Sequence, residues 1–559
     1  MAMNSRDQRA SLTEVAFLMT VISTMSGCTQ PEGNAWFTEE SKARGLDFKH
    51  QSGYLGRPLV PQIVSGGAAF ADVDGDGDLD AYLVQSGRIE SGNANASNRL
   101  YLNRGDGYFV EAPVESGARD QGYGMGATAG DYDNDGDVDL YVTNYGPNVL
   151  LQNDGTGIFE DVSREAGVDD PLWSAAATFL DLDADDDLDL FVVNYMNWTP
   201  NIERDCYVRG VPTYCGPTVY NVPAMDRLYR NNGDGTFTDI TFEAGINVAF
   251  GNGLGAVGAD FNGDGLTDVF VANDMMVNQL WLNQGDLRFE DESLLRGVAL
   301  DEHGITKAGM GVAAADFDDD DDTDLLVVNL MEQTDSFFRN EGSFFVDATR
   351  AVGLASTSVR HTRFGVVLAD FDNDGLLDLY EANGRIESSN PSRPVFDEPN
   401  TLYRGTSSAG VFRFEPVTPE GGVDSPLVDT SRGLAVGDVD NDGGLDLLVV
   451  NKDAAPYLLM NRATRGQWVR FRVTTSTGRD AHGASVSATA GTTRMRREVQ
   501  PSASYLASND PRVHFGLGEQ TQIKNVIVTW PGGEQEGFGD FDAGATHELS
   551  RGEGQMGSE

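Results

Sequence analysis

One nine-residue pattern, Asp-x-Asp-x-Asp-Gly-x-x-Asp, recurs seven times between residues 72 and 446, and it leaves few folds open to the chain. The segments begin at Asp72, Asp131, Asp181, Asp260, Asp316, Asp370 and Asp438, and read for example DVDGDGDLD, DYDNDGDVD and DFDNDGLLD. Successive starts lie between 50 residues (131 to 181) and 79 residues (181 to 260) apart. Before each segment runs a Gly- and Ala-rich apolar stretch such as GMGATAGD or GLGAVGAD, and after it a β-branched and aromatic stretch such as VDLYVTN or TDVFVAN. Both have strand composition and strand length. A second hairpin follows, as in NRLYLNRGDGYF and NQLWLNQGDLRF, with an Asn/Gly/Asp-rich turn suited to a tight reversal. Four strands per repeat is one blade of a β-propeller, so the prediction is an all-β chain built on a seven-bladed ring.

The loop spacing carries the chemistry. Alternate residues at positions 1, 3 and 5 point inward, position 6 turns the chain, position 7 offers its carbonyl and position 9 closes the shell with a carboxylate. The predicted ligand sets are Asp72, Asp74, Asp76, Asp78 and Asp80; Asp131, Asp133, Asp135, Asp137 and Asp139; Asp181, Asp183, Asp185, Asp187 and Asp189. They continue with Asp260, Asn262, Asp264, Leu266 and Asp268; Asp316, Asp318, Asp320, Asp322 and Asp324; Asp370, Asp372, Asp374, Leu376 and Asp378; and Asp438, Asp440, Asp442, Gly444 and Asp446. Hard oxygen ligands at flexible geometry suit Ca²⁺, up to seven ions, better than Mg²⁺, which holds its water, or Zn²⁺, which prefers His and Cys. An EF-hand is excluded because strands flank the loops and no Glu stands at position 12. Asp186 and Asp321 replace the position-6 Gly, which predicts weaker or distorted sites in the third and fifth loops.

Charge follows from the loops. Asp and Glu number 88 against 39 Lys and Arg, a net charge of −49, which disfavours nucleic acid and anionic membranes as partners. Taking away the 34 aspartates of the seven segments leaves −15, so most of the acidity is loop chemistry. That density of carboxylates is self-repulsive without a cation.

The N-terminus predicts export. Arg6 and Arg9 precede the apolar stretch Val15 to Met25, then Ser26, Gly27 and Cys28, which resembles a lipoprotein cleavage site with a lipidated Cys28. A lipid there is the expected route to a membrane, in a bacterial envelope lipoprotein or otherwise a secreted protein. A plain secretory signal or a buried helix has a similar pattern. The remaining cysteines, Cys206 and Cys215, form an even pair and predict a disulfide, against the alternative of two free thiols in a cytosolic insertion.

The seven loops and their flanking strands resemble the FG-GAP/VCBS repeats of integrin-α-type propellers, from about Phe37 to Asn461. GASVSATAG, SYLASNDPRVHFGLG and IKNVIVTWPGG closely resemble the ASPIC/UnbV domain of the cartilage acidic protein-like family. The resemblance implies a calcium-binding extracellular or envelope protein involved in interaction. The expected organisation is a signal over 1–27, a linker over 28–36, the propeller over 37–461, a small antiparallel β domain over 462–549 and a flexible tail over 550–559. The cluster Arg494, Arg496 and Arg497 reads as a solvated strand face ahead of a glycan or docking contact. Arg104-Gly105-Asp106 is accounted for by turn chemistry, and Gly122-x-Gly124-x-Gly126 by its place before a loop in place of a helix. No His-Glu-x-x-His, Gly-x-Ser-x-Gly or Cys nucleophile arrangement occurs. A binding or adhesion module with an unknown protein or glycan ligand therefore stands ahead of an enzyme acting on polysaccharide or a structural scaffold.

Ring closure follows from the strand count. Six repeats end in a Phe-led strand, whereas Tyr457 to Asn461 has no such successor and Phe37 has no third strand before it. The prediction is that Phe37 supplies the outer strand of the last blade, ahead of the rival in which the strand at Trp468 completes that blade and does not open the next domain.

Overall fold

A computed structural model describes residues 35–89, 96–387, 396–408 and 410–556; the export signal, Cys28 and most of the expected linker lie outside them. Each acidic segment becomes the turn of a hairpin. The last residue of the strand before it pairs with the position-9 aspartate that opens the strand after it: Ala71 with Asp80, Gly130 with Asp139, Ala259 with Asp268, Gly437 with Asp446. Two further strands follow, and the third residue pair is always an Asn or Gly opposite Phe, such as Asn103 with Phe109 or Gly405 with Phe414. Seven such sheets occur among the described residues, six of four strands and the first of five, its extra strand being Ala507–Ser508. Their innermost strands touch in cyclic order, from Ala68–Ala71 through Gly124–Gly130 and onward to Ser431–Gly437, which touches Ala68–Ala71 again. Small residues line this axis because a Cβ has no room there: one added at Gly67 would lie 2.6 Å from Gly126 Cα.

The ring closes as the strand count predicts. Phe37 pairs with Asn461, Thr38 with Met460 and Glu39 with Leu459, so the first strand among the described residues is the outermost strand of the seventh blade. Phe37 is 1% exposed and packs edge-on against Phe371 at 5.3 Å between ring centroids.

The C-terminal region departs from expectation in two ways. It holds two sheets, of three and five strands, and it is mixed: Gln467–Thr474 pairs antiparallel with Val513–Gly518 but parallel with Thr546–Ser550. The expected tail is also shorter, because Gln555 and Met556 pair with Gly537 and Glu536 and extend the five-stranded sheet.

Residues 500–510 leave this domain and enter the axis of the propeller. Ala507 and Ser508 add a short parallel strand to Ala68 and Ala69 of the first blade. Ser504 exchanges backbone hydrogen bonds with Val312 of the fifth, and its hydroxyl accepts from Val366 N of the sixth. Ser502 meets Thr128 of the second blade, and Asn509 accepts from Val436 N of the seventh. At the tip, Tyr505 donates to Val64 O at 2.7 Å, and Leu506 lies among Met125, Leu254 and Phe364. The plug satisfies inner-strand backbone groups that would otherwise face an empty channel.

The opposite mouth of the ring is roofed by insertions. Val60, Ile63, Trp173, Trp198 and Tyr214 join the apolar cluster that receives the plug. Cys206 and Cys215 are disulfide-bonded across a small hairpin in this roof, with S–S at 2.08 Å.

The plug generates a prediction. Leu506 is 2% exposed, so Leu506→Ala is expected to cost about 3 kcal/mol, the usual range for emptying a packed leucine site. The exposed control Val110→Ala is expected to cost under about 0.5 kcal/mol. Urea denaturation followed by tryptophan fluorescence measures both; equal shifts in midpoint would show the plug to be unimportant.

Candidate metal centres

All seven loops lie at one end of the ring, because each is the same hairpin of the same blade unit. The loop is built from within. In the first, Asp76 N and Gly77 N donate to the two oxygens of Asp72 at 3.1 and 2.9 Å, and Asp78 N donates to Asp76 Oδ1 at 3.0 Å. The second and seventh loops repeat these contacts. Two residues in every loop take the left-handed backbone, not one. Position 6 does so as the sequence implied, with Asp186 at φ 67° and Asp321 at 74°, and so does position 4, where Asn134, Ala184, Asp319, Asn373 and Asn441 stand. Asn and Asp tolerate that region locally, which accounts for most of these choices. Ala184 has no such excuse.

The position-9 aspartate is a clamp as well as a candidate ligand. Asp80 accepts from Val73 N at 3.0 Å and from Asn103 N at 2.7 Å, tying the loop to the third strand of its blade. Asp139, Asp268, Asp324, Asp378 and Asp446 each do the same with their counterparts. Burial drives these carboxyls upward, Asp80 to about 8 and Asp139 to about 9, while their backbone donors pull the other way. A nearby cation is the agent that would keep them charged.

Ligand oxygens converge where the spacing placed them. Asp72, Asp74 and Asp80 bring one oxygen each within 4.8 Å of one another, as do Asp131, Asp133 and Asp139, Asp181, Asp183 and Asp185, Asp316, Asp318 and Asp320, and Asp370, Asp372 and Asp374. The fit to a hard cation shows at position 3. Asp74 Oδ1, Asp133 Oδ1, Asp183 Oδ1, Asp372 Oδ1 and Asp440 Oδ1 are buried and have no hydrogen-bond partner. Buried orphan oxygens of this kind are costly unless something positive faces them.

A residue the sequence reading passed over joins the loops to one another. The Asn that ends the third strand donates its side-chain N–H groups to two carbonyls, position 8 of its own loop and position 2 of the preceding one. Asn103 reaches Leu79 O at 3.0 Å and Val439 O at 2.8 Å; Asn231 reaches Leu188 O at 3.1 Å and Tyr132 O at 2.7 Å. Asn153, Asn283, Asn340 and Asn461 repeat the pattern. The sixth blade has Gly405 there, so the seam between the fifth and sixth blades lacks this staple. The signal was visible in LYLN, LLQN, LYRN, LWLN, FFRN and LLMN against the lone LYRG.

The C-terminal domain sits on the loop face, and its cationic cluster is docked, which corrects the expectation of a solvated strand. Arg494 pairs with Asp321, Arg496 donates to Thr323 Oγ1 at 2.7 Å, and Arg497, half-buried, donates to Gly375 O of the sixth loop. Arg512 donates to Gly77 O, Arg479 to Asn134 Oδ1 and Asp186 O, and Arg551 to Asp186 Oδ1 at 2.7 Å. Gly532 N donates to Gly265 O in the fourth loop. Asn373 uses its amide N–H toward Gly443 O, so its oxygen accepts from His514 Nε2 at 2.8 Å. Asp186 and Asp321, singled out as departures from Gly, thus serve as contacts for the docked domain. Between the first two loops and this domain a crevice of about 680 Å³ remains, lined by Arg470, Arg472, Arg512 and His482.

Comparison with known proteins agrees with this architecture. An FG-GAP-like repeat model matches residues 72–142, 131–192, 218–271, 260–327 and 316–381, and an ASPIC and UnbV model matches residues 474–556. Cartilage acidic protein 1 of Xenopus tropicalis is 25% identical over 498 residues, covering 84% of this chain and 61% of its own length. Human cartilage acidic protein 1 is 28% identical over 309 residues, covering 53% of this chain and 43% of its own length. The chain thus spans about two-fifths to three-fifths of the length of these relatives. A solved Agrocybe aegerita lectin that recognises non-reducing terminal N-acetylglucosamine is 16% identical with a TM-score of 0.38, covering 70% of this chain and 86% of its own, a likeness too slight to bear on function.

The Asn staple is testable. Asn231 is 4% exposed, and Asn231→Ala strips the side-chain donor from two carbonyls, for an expected loss of about 2 kcal/mol. Guanidinium denaturation measures it; a loss under about 0.5 kcal/mol would assign the Asn to turn chemistry alone.

Proposed function

Because this chain belongs to the FG-GAP-like repeat family and carries an ASPIC and UnbV domain, we propose that it is an exported calcium-binding propeller that acts as a binding or adhesion module at a cell surface or in the envelope. The observation that carries the calcium reading is the set of bare, buried position-3 oxygens of Asp74, Asp133, Asp183 and Asp372, in loops whose carboxylates already converge. Calcium, up to seven ions, supplies charge that lets carboxylate clusters share one end of a ring. In each set the residues at positions 1, 3, 5 and 9 would contribute side-chain oxygens and the residue at position 7 its carbonyl.

What the fold has filled supports one place for ligand binding. The plug occupies the axis and the aromatic roof covers the far mouth, so the axial hole that a propeller offers is closed at both ends. The crevice beside the first two loops remains, with arginines from the C-terminal domain on one wall. A protein or glycan ligand is assigned to that crevice in this reading. No helix among the described residues is long and apolar enough to cross a membrane; attachment through a lipid at Cys28 is the membrane contact this reading includes.

Calcium binds the folded loops and not the unfolded chain, so it stabilises by mass action, and extracellular sites of this type bind at about 10⁻⁴ to 10⁻³ M. The melting temperature is expected to fall markedly when millimolar calcium is replaced by chelator, and Asp133→Asn is expected to reduce that difference. Identical melting curves in calcium and chelator would overturn the calcium reading. A glycan array probed with and without calcium, alongside lyase and hydrolase assays, tests the binding role; turnover of a polysaccharide would favour an enzyme instead.

A further inference from the structure

The seventh loop differs from the others in what surrounds it. Among the described residues, the carboxylates at positions 1, 3, 5, 7 and 9 of the first five loops enter no salt bridge; where arginines pair with the third and fifth, they take the position-6 residues Asp186 and Asp321. In the seventh loop the ligand carboxylates themselves are taken. Arg470 Nη1 lies 3.0 Å from Asp438 Oδ2, and Arg465 Nη2 lies 2.8 Å from Asp442 Oδ2. Arg44 and Arg462 approach Asp440 Oδ2 at 3.5 and 4.0 Å.

We propose that these four arginines neutralise the seventh loop in place of a divalent cation, so that the blade which closes the ring is held shut without metal. The inference rests on the reading that other loops take calcium. Asp440 Oδ1 is bare here as its counterparts are elsewhere, yet three loop carboxylates, with Glu40 and Asp510 beside them, already face four guanidinium groups, and a calcium ion would enter against their like charge. Arg470 cannot easily withdraw. Its side chain is 2% exposed, and it also donates to Asn441 Oδ1 at 2.9 Å and Thr546 Oγ1 at 3.1 Å. The sixth loop offers the contrast: one nitrogen of Arg404 sits 2.7 Å from both Asp372 and Asp374, but that side chain is 44% exposed and free to swing outward from its strand when an ion arrives.

The origins of the four arginines give the arrangement its sense. Arg44 follows the closing strand Phe37–Glu39, Arg462 and Arg465 follow the strand it pairs with, and Arg470 lies in the first strand of the C-terminal domain. The three segments that must meet to seal the ring and seat the domain therefore converge on one acidic loop. A chain exported into calcium-poor surroundings would have its closure made, with only the remaining loops waiting for ions.

Equilibrium dialysis against calcium, counting ions per chain, tests this. Asp442→Asn is expected to leave the count unchanged, while Asp135→Asn, at the same position of the second loop, is expected to lower it by one. Arg465→Ala is expected to raise it by one, and hydrogen exchange in chelator is expected to leave Tyr457–Asn461 protected while Val149–Asn153 opens. Loss of one ion in Asp442→Asn, or simultaneous opening of both strands in chelator, would overturn the inference alone. A wild-type chain that binds no calcium would overturn the underlying reading and this inference with it.

Discussion

Everything in this molecule answers to the repulsion among carboxylates gathered at one end of a ring. The blade unit puts its acidic hairpin in the same place every time, so seven repeats mean seven negative clusters on a shared face. Backbone N–H groups engage the position-1 and position-9 aspartates, arginines of the C-terminal domain press down from above, and bare inward oxygens remain for a cation. Close carboxylates in a partly dehydrated setting are tolerable only when such partners are all in place. The arginine-bearing face of the domain is therefore a counter-charge to the loops and belongs to the propeller's energetics, as the single unit formed by Asn34–Glu559 also indicates.

Geometry converts that electrostatic problem into a mechanical link. The position-9 aspartate holds its loop to the third strand, and the Asn at the end of that strand holds the loop of the blade before. Displacement of one loop thus bears on its neighbour through two short hydrogen-bonded steps. Position-4 asparagines add a second tie: Asn134 donates to Asp187 Oδ1 and Asn441 to Asp78 Oδ1, each in the next loop round. Where Gly405 replaces the Asn, the seam depends on packing among Phe317, Phe337 and Phe414.

The sequence was most legible where structure is local and repeated. Loop spacing, strand composition and the unpaired Phe37 strand sufficed for the ring and its closure, because each depends on patterns within about sixty residues or on a simple count of hairpins. Long-range contacts were opaque. Ser502 to Asn509 reads as a turn-rich stretch of a small β domain, and nothing in its composition says that Tyr505 and Leu506 fill the axis of another fold. Arg494, Arg496 and Arg497 look like any solvated strand until their acidic partners are brought to them. The final strand, Gln555–Met556, is too short and polar to be distinguished from a tail. Position 4 was missed because its residues share a conformation and not a chemical type.

Closure by the N-terminal strand fixes an order of biosynthesis. Phe37 leaves the ribosome early, yet its partner Asn461 is 424 residues further on (461 minus 37), so the first strand made is among the last to be paired. Until then the nascent chain is an open arc with two unsatisfied ends, and it is vulnerable to joining another copy edge to edge. The plug comes later still. A chain truncated anywhere before its last fifth would thus leave both a gap in its circumference and a hollow along its axis: the first needs Asn461 to be made and the second Asn509.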